Sequence, residues 1–465
     1  MQRHPTIAAV LVTASFVAPS ALARKPAAPR CIVEAEEDVY RYEPANNGAG
    51  PMWCFGSTCL VRVGERVFAS GLETIRSAKP LNNCRWTLFA RETGGWRLVR
   101  ADETGRTREP CPMACFADGQ VLLSVNPTLA PLDAHAGPAR PDILRFDAAT
   151  IDAPPRTILP KWAGKPRFRE HSYRSFAADG PRGEMILFQN VGYTHAEWAF
   201  RDARGTWSAR GRLVWPWGSK YDKPQPIRIC YPTVALRNRA VHFCGVSDIV
   251  EPYAKYRDAK RKITGRQWDY DFRRLFYTWC DDVTKGTFGK WVEIASRDKT
   301  CGWITPRDLW AAPDGSVHLL WSERAIDTRL RKEFFPNAKQ SDALNYALLR
   351  GGRVVRRQAL RIAREGEPGE TAGAARFHVL PDRRLLVFYH VRRNRAGKRI
   401  SENRIMELVA GQEAWDAPVE FKHPFTSFFT ATVRAGCKPS NTLDLLGQCD
   451  GKAHTIRYAR IAIRR

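Results

Sequence analysis

TPRDLWAAPDGSVHLLWS, residues 305–322, has the pattern of one β-hairpin. An apolar run that ends at Ala311 precedes Pro313-Asp314-Gly315, which is typical of a tight turn. A second run follows, rich in branched and aromatic residues, which favour half-buried strands. We therefore predict two antiparallel strands joined by a short turn.

This pattern occurs seven times in the chain. The other copies are residues 61–70, 113–124, 173–188, 231–244, 375–389 and a distorted last copy at 429–448. After most copies come a third strand, a glycine-containing turn and a fourth strand, as around Gly205-Thr206-Trp207. One four-stranded sheet cannot bury both faces alone, so a unit repeating roughly every 55 to 75 residues indicates stacked blades. We predict an all-β, seven-bladed β-propeller with four antiparallel strands in each blade.

The N-terminus has the features of a secretory signal peptide. Arg3 and His4 precede a short apolar run at 7–18, and Ala21-Leu22-Ala23 fits a cleavage site. We predict a signal peptide at 1–23, one propeller domain at 24–465, and a periplasmic or extracellular location. No later segment reaches the roughly 18 uninterrupted apolar residues of a membrane helix, so no membrane span is predicted.

The last copy holds only three strands after His423. Propellers commonly close their ring by taking one strand from the other end of the chain. The strand-like segment 31–35 is therefore predicted to form the outer strand of the last blade, so that no sheet edge stays open.

All 12 cysteines follow the predicted cleavage site, which favours disulfides in an exported chain. Pairs near enough in sequence, or on strands that we pair, are Cys54/Cys59, Cys111/Cys115, Cys437/Cys449 and Cys230/Cys244. The chain has no CxxC and no His-Cys cluster at ligand spacing, so neither a metal nor a cofactor is predicted. The sequence leaves open whether the protein holds a structural calcium ion.

The formal charge is 74 − 48 = +26. One interpretation is a solvated basic exterior, and the other is attraction to anionic polymers. Nucleic acid fits poorly, because an exported chain rarely meets it and no recognition motif is present. The predicted partner is an acidic polysaccharide or oligosaccharide, bound by a monomer.

One face of the disc carries short turns, while the connections on the other face are long. These long loops are residues 127–141, 215–228, 247–274, 323–341, 361–373 and 392–403. Long loops are disproportionately functional, so we place the site at the funnel mouth on this face. Helices are predicted at 251–262 and 325–335.

Familiar catalytic signatures are missing: GxSxG, HExxH, a P-loop, GxGxxG before a helix and an EF-hand loop. Polar residues near strand ends are therefore the candidates. The candidate catalytic residues are His195, Tyr231, Tyr173, Asp308 and Glu323. The candidate substrate-binding residues are His171, Arg174, Arg228, Arg307, Arg324, Arg376 and His390. Arginine can grip a carboxylate with two hydrogen bonds. The alternative is structural, with Asp308 and Glu323 pairing neighbouring arginines to order the loops.

Two sets of short sequence segments resemble motifs of known families. Residues 202–207 and 290–293 resemble the BNR or Asp-box repeats of sialidase-like propellers, although no copy holds the complete Asp-box. Residues 171–175 and 230–233 resemble inner-strand phrases of BNR-type seven-bladed polysaccharide lyases and related rhamnosidases. The lyase resemblance implies His195 or Tyr231 as acid and base, with Arg174 or Arg228 neutralising a uronate.

Two functions remain open from the sequence. The first is an exported enzyme acting on acidic or decorated polysaccharide, with uronate β-elimination ahead of glycoside hydrolysis. Hydrolysis would need a carboxylate pair such as Asp308 and Glu323. The second is a noncatalytic propeller that binds carbohydrate or an envelope partner, since a fold does not dictate chemistry.

Overall fold

The computed structural model describes residues 29–395 and 398–464, with only the backbone described at 394, 395, 398 and 399. The predicted signal peptide, 1–23, lies outside the described residues. In the described part of the chain, no helix is long and apolar enough to cross a membrane.

Seven four-stranded antiparallel sheets form the blades. The chain begins with β1 (Arg30–Arg41), which belongs to the last blade. Blade 1 contains β2 (Leu60–Val63), β3 (Arg66–Thr74), β4 (Cys84–Glu92) and β5 (Gly95–Ala101). Blade 2 contains β6 (Met113–Cys115), β7 (Gln120–Val125), β8 (Asp142–Asp147) and β9 (Arg156–Ile158). Blade 3 contains β10 (Ser175–Asp179), β11 (Glu184–Val191), β12 (His195–Arg201) and β13 (Ala209–Val214).

A small hairpin then joins β14 (Trp217–Gly218) to β15 (Gln225–Pro226). Blade 4 contains β16 (Ile229–Arg237), β17 (Ala240–Ser247), β20 (Arg274–Cys280) and β21 (Val292–Ser296). Its long loop holds a second small hairpin, β18 (Ile249–Val250) with β19 (Tyr270–Asp271). Blade 5 contains β22 (Cys301–Ala311), β23 (Val317–Ile326), β24 (Ser341–Arg350) and β25 (Arg353–Arg364).

Blade 6 contains β26 (Thr371–Val379), β27 (Leu385–Arg395), β28 (Lys398–Val409) and β29 (Gln412–Val419). Blade 7 contains β30 (Phe425–Thr430), β31 (Thr442–Cys449), β32 (Thr455–Arg464) and, outermost, β1. The α-helices are α1 (Ala254–Thr264) and α2 (Arg331–Phe334), and single 3-10 turns lie at Gly180–Arg182, Val283–Lys285 and Asp298–Thr300.

The first strands of neighbouring blades contact one another around a complete ring. The contacts are β2 with β6, β6 with β10, β10 with β16, β16 with β22, β22 with β26, β26 with β30, and β30 with β2. The predicted seven-bladed propeller is therefore confirmed. The predicted closure is also confirmed, because Cys31 lies opposite Ile463 and Val33 opposite Ile461 in the β1–β32 register.

Alternation along β22 explains why each blade needs apolar residues on both faces. Successive side chains of a strand point to opposite sides of the sheet. Leu309 packs in a cluster with Val246 and Tyr277 of blade 4. Its neighbour Trp310 packs in a cluster with Phe377 of blade 6. A nearly continuous apolar run is therefore the signature of a blade with a neighbour on each side.

Two loop predictions need correction. The helix predicted at 325–335 is only the short α2, because Ala325 and Ile326 continue strand β23. The loop predicted at 392–403 is instead a hairpin extension of β27 and β28, with Arg392 opposite Ser401. Charged residues are stable in this extension because Arg393 pairs with Glu402 at 3.2 Å. The helix predicted at 251–262 is confirmed, shifted to α1.

The 12 cysteines lie in the described part of the chain, and all are thiols there. Cys54 and Cys59 have their sulfurs 3.4 Å apart. Cys230 and Cys244 are not opposite each other, because a β-bulge places Val246 opposite Cys230 and Thr233 opposite Cys244. The other two predicted pairs are not formed either.

The central channel is occupied by residues 53–58, which we call the channel plug. Arg376 donates to the carbonyl of Phe55 at 2.9 Å, and Arg434 donates to the carbonyl of Gly56 at 3.1 Å. A side chain at Gly56 would collide with the carbonyl of Pro232. The plug is thus held by arginines from blades 6 and 7 and pressed against blade 4.

Removing β1 should destabilise the whole ring. A protein that begins at Tyr42 lacks the strand that covers the edge of β32, and it exposes apolar surface now covered by Cys31 and Val33. We expect a clearly lower melting temperature than for a matched protein that begins at Pro29, measured by thermal unfolding. Equal melting temperatures would show that the ring does not depend on this strand.

Candidate functional site

Six rings lie in consecutive stacked, edge-to-face or tilted contacts across the face that carries the long loops. We call them the aromatic row: Trp53, His171, Tyr173, Tyr231, Phe272 and Trp303. Consecutive ring centroids are 5.3, 4.3, 5.2, 6.0 and 4.6 Å apart. The row begins in the channel plug and crosses blades 3 and 4 to blade 5. Most of its rings are half-buried, and Trp303 is exposed.

The backbone is unusual where the row crosses blades 3 and 4. Tyr173 and Tyr231 have φ angles of 38° and 48°, in the left-handed region that non-glycine residues rarely adopt. Tyr231 lies in β16 and Tyr173 lies two residues before β10. Such conformations persist where surrounding contacts enforce them, and they concentrate at functional sites. The left-handed conformations of Tyr173 and Tyr231 direct these side chains, from adjacent blades, toward one another.

Arg228 lies under this part of the row with its charge compensated. Its guanidinium is 2.6 Å from the carboxylate of Asp248, and both side chains are buried. The same guanidinium stands 3.9 Å from the ring centroid of Tyr193 and 5.3 Å from that of Tyr173. Burial raises the pKa of Asp248 while Arg228 opposes that rise. This pair supports the tyrosines rather than offering an unpaired charge to a ligand.

His171 is oriented by Glu109, a residue that the sequence reasoning missed. His171 Nδ1 is 2.8 Å from a Glu109 oxygen, and Glu109 also accepts hydrogen bonds from the backbone N and hydroxyl of Ser172. Burial alone would raise the pKa of Glu109, but the hydrogen bond and charge of His171 hold it below its ordinary value. The second ring nitrogen, Nε2, is therefore the one left for chemistry. Glu109 sits in a loop with no motif around it, so no sequence signal pointed to it.

The row leads into a cavity of about 480 Å³ between blades 5 and 6, which we call the arginine pocket. Its lining includes Trp303, Thr305, Arg307, Arg324, Arg329 and Arg392. Trp303 belongs to both the row and the pocket. The two features therefore form one continuous groove.

Two of the four arginines that line this pocket are already paired with carboxylates. Arg324 is 3.2 Å from Asp342, and Arg329 is 2.7 Å from Asp327 and 2.5 Å from Asp269. These carboxylates neutralise the charges of both arginines, and the ion pairs help to order the chain at the end of β23 and after it. Exposed pairs of this kind contribute little stability, about 0–1 kcal/mol each.

Arg307 differs from these arginines. Its Nε donates to the hydroxyl of Ser322 at 2.8 Å, and among the described residues it has no carboxylate partner. Burial, followed by the charges of Arg376 and Arg392, lowers its pKa to about 9. The guanidinium therefore stays protonated at neutral pH, and its positive charge faces the pocket uncompensated.

The two carboxylates suggested for hydrolysis are engaged in separate buried networks. Asp308 is 2.7 Å from Arg434 and also accepts from the backbone N of Phe377. Glu323 pairs with Arg297 and accepts from the indole of Trp321 at 2.6 Å. The structure does not bring them together as an unpaired couple across one substrate position.

Two more predicted arginines are buried beneath the groove. Arg174 donates to the carbonyl of Pro110 at 2.7 Å and lies 3.4 Å from the sulfur of Cys111. Arg376 holds the carbonyls of Phe55 and Arg307. Both side chains are almost fully buried. They shape the floor of the groove without presenting their charge at its surface.

The other predicted histidines lie away from the row. His195, at the start of β12, is 2.8 Å from the hydroxyl of Thr194 and 3.3 Å from Glu197 of its own blade. Burial and then the charge of Arg212 lower the pKa of His195. His390 is buried in blade 6, where its Nε2 is 2.8 Å from the hydroxyl of Ser401.

Within residues 29–395 and 398–464, no group of three or more His, Cys, Asp or Glu side chains is placed to hold a metal ion. The polar groups of the groove are arginines, hydroxyls, one histidine and the carboxylates of Glu323, Asp327 and Asp342, each of which pairs with an arginine. Such a set can bind anions and hydroxyl-rich ligands by hydrogen bonds.

Comparisons with known proteins give similarity of fold only. No family model and no curated protein matches the chain. A protein of unknown function from Dyadobacter fermentans is 12% identical, with a TM-score of 0.42, over 93% of this chain and 99% of that one. An alpha-L-arabinanase from Penicillium chrysogenum is 11% identical, with a TM-score of 0.38, over 94% and 99%. Trypanosoma rangeli sialidase is 9% identical, with a TM-score of 0.40, over 83% and 60%.

The class of this protein therefore rests on its own sheets: a seven-bladed β-propeller with an aromatic and cationic groove on one face.

Replacing Asp308 should cost stability. Asp308→Ala leaves Arg434 buried without its carboxylate, so we expect the free energy of unfolding to fall by about 3–5 kcal/mol. Asp342→Ala is the control, since it breaks the more exposed pair with Arg324 and should cost less than about 1 kcal/mol. Urea unfolding of both variants measures this. An Asp308→Ala variant as stable as the wild type would contradict the structural role.

Proposed function

We propose that the groove binds an acidic polysaccharide or oligosaccharide. Sugar rings lie along the aromatic row, and a carboxylate enters the arginine pocket. The observation that carries this proposal is Arg307, a cation without a carboxylate partner at the end of a row of rings. Location outside the cytoplasm, through the predicted signal peptide, and action as a monomer are part of the proposal.

The row supports the carbohydrate part of the proposal. Aromatic side chains offer large apolar surfaces at a low cost in conformational entropy. Sugar rings have C–H faces that pack on such surfaces. Six rings spaced 4.3 to 6.0 Å apart make a platform longer than one sugar, which fits a chain rather than a single unit.

The pocket supports the acidic part. Charges of the same sign around Arg307 make its protonated form unfavourable, and an incoming carboxylate would relieve that repulsion. A guanidinium can give a carboxylate two parallel hydrogen bonds. The net charge of +26 would also draw anionic polymers toward the protein.

Arg307→Ala should weaken binding of an oligogalacturonate by about 10- to 150-fold, equivalent to about 1.5–3 kcal/mol. Arg324→Ala is the matched control and should change affinity little, because Asp342 already compensates its charge. Calorimetry with the oligogalacturonate and with its uncharged methyl ester separates the contribution of the carboxylate charge to affinity from the contribution of ring stacking. The proposal fails if Arg307→Ala binds the acidic ligand as tightly as the wild type.

A second candidate function is β-elimination on a bound uronate, and the pair of His171 with Glu109 favours it. His171 Nε2 would take the proton at C5, the electron pair would form the C4–C5 double bond, and the bond from C4 to the glycosidic oxygen would break. Burial, followed by Cys230 and Asp248, raises the pKa of Tyr173, so its phenol stays protonated and can give that oxygen a proton.

The charge that develops beside the carboxylate needs a cation, and Arg108 supplies one. Its guanidinium lies 5.2 Å from the ring centroid of Trp53. Hydrolysis is less well supported, because it requires two carboxylates across the bond and Asp308 and Glu323 are both engaged elsewhere. Elimination therefore remains ahead of hydrolysis.

If elimination occurs, His171→Ala should abolish formation of the unsaturated product, which absorbs in the ultraviolet, while binding persists. His195→Ala is the control and should keep the signal, because His195 bonds within its own blade. Absorbance and calorimetry on the same acidic oligosaccharides provide both readings. Binding without any product from the wild-type protein would leave only the binding function.

A further inference from the structure

Two buried cysteines from opposite parts of the chain meet beside the central channel. Cys115 ends the inner strand β6 of blade 2, and Cys437 lies in the connection between β30 and β31 of blade 7. They are 322 residues apart in sequence, and their sulfurs are 3.7 Å apart. Such closeness without any sequence proximity needs a physical explanation.

Backbone contacts hold this juxtaposition in place. The backbone N of Cys115 donates to the carbonyl of Ala435 at 2.7 Å. Arg62 of blade 1 contacts both sulfurs, since its carbonyl is 3.6 Å from that of Cys115 and its backbone N is 3.4 Å from that of Cys437. A side chain at Gly436, where φ is +86°, would collide with the carbonyl of Cys115. The chain therefore passes as near to β6 as glycine allows.

We propose that Cys115 and Cys437 form a disulfide in the exported protein. Small rotations about their Cα–Cβ bonds bring the sulfurs together, because both backbones are already adjacent. The two thiols give up two protons and two electrons to the disulfide of a thiol–disulfide oxidoreductase. The Cys115 or Cys437 thiolate attacks that disulfide, and the second thiolate then displaces the reduced enzyme.

The pairing differs from the one suggested by sequence proximity. The sulfur of Cys111 is directed to the carbonyl of Glu109 at 3.9 Å and to Arg174. Cys449 ends β31 opposite Phe425. Neither competes with the contact between Cys115 and Cys437.

The cross-link closes the ring a second time. Strand β1 joins the two ends of the chain at the rim, whereas this disulfide joins blade 2 to blade 7 beside the channel. It also anchors Arg434, whose carbonyl accepts from the backbone N of Ala178 in blade 3. The cross-link constrains the unfolded chain across a loop of hundreds of residues, which stabilises the folded state.

The test uses the full chain, secreted with its own leader and purified without reductant. Denatured protein is alkylated and digested, and mass spectrometry should find Cys115 joined to Cys437. Reductant should expose two further alkylatable thiols at these positions and lower the melting temperature. In the Cys437→Ser variant, reductant should neither expose a further thiol at Cys115 nor lower the melting temperature through this cross-link. In the control variant Cys449→Ser, reductant should have the same effects as in the wild-type protein.

If Cys437→Ser does not fold, alkylation and mass spectrometry of the wild-type protein with and without reductant are sufficient for the test. Alkylation of both Cys115 and Cys437 before reduction would overturn the proposal. So would peptides that join Cys115 to Cys111 or Cys437 to Cys449.

Discussion

The buried ion pair between Asp308 and Arg434 is the constraint on which the centre of this propeller depends. Asp308 belongs to an inner strand of blade 5, and Arg434 comes from the connection between β30 and β31 within blade 7. The same guanidinium also donates to the carbonyls of Gly56 and Val234. A charge buried this deeply is tolerated only when paired and fully hydrogen-bonded, so one side chain ties together blades 4, 5 and 7 and the channel plug.

The position of the groove follows from that centre. The channel plug carries Trp53, which begins the aromatic row, and its backbone presses on blade 4 where Tyr231 adopts a left-handed conformation. Arg324 and Arg329 are paired with carboxylates, and Arg174 and Arg376 donate to backbone carbonyls. Arg307 is different because the charges of Arg376 and Arg392 oppose its own and no carboxylate of the described residues pairs with it, and that imbalance suits the pocket to an anion.

The repeats made the fold predictable, because a blade between two neighbours needs apolar residues on both faces of its inner strands. Leu309 and Trp310 show this in adjacent positions. The closing strand was predictable by counting strands in the last copy. The extended hairpin around Arg392 was not, since its stability comes from cross-strand charge pairs rather than from an apolar pattern.

The site was predictable only as a region. Residue type and position in a strand placed Tyr173, Tyr231 and Arg307 at the funnel mouth. They could not separate Arg307 from Arg174 or Arg376, because burial and partners are set by chain segments far away in sequence. Asp308 meets a partner 126 residues away, and Arg376 meets one 321 residues away. Glu109 was missed for the same reason.

The position of β1 also determines when this protein can become native during its synthesis. Arg30 pairs with Arg464, so β1 leaves the ribosome long before its partner strand β32 has been made. Until then the edges of β1 and β32 are both open, and contacts this distant in sequence form slowly. A chain interrupted before β32 cannot complete the ring. Closure by β1 therefore restricts the native state to chains that have been translated through β32.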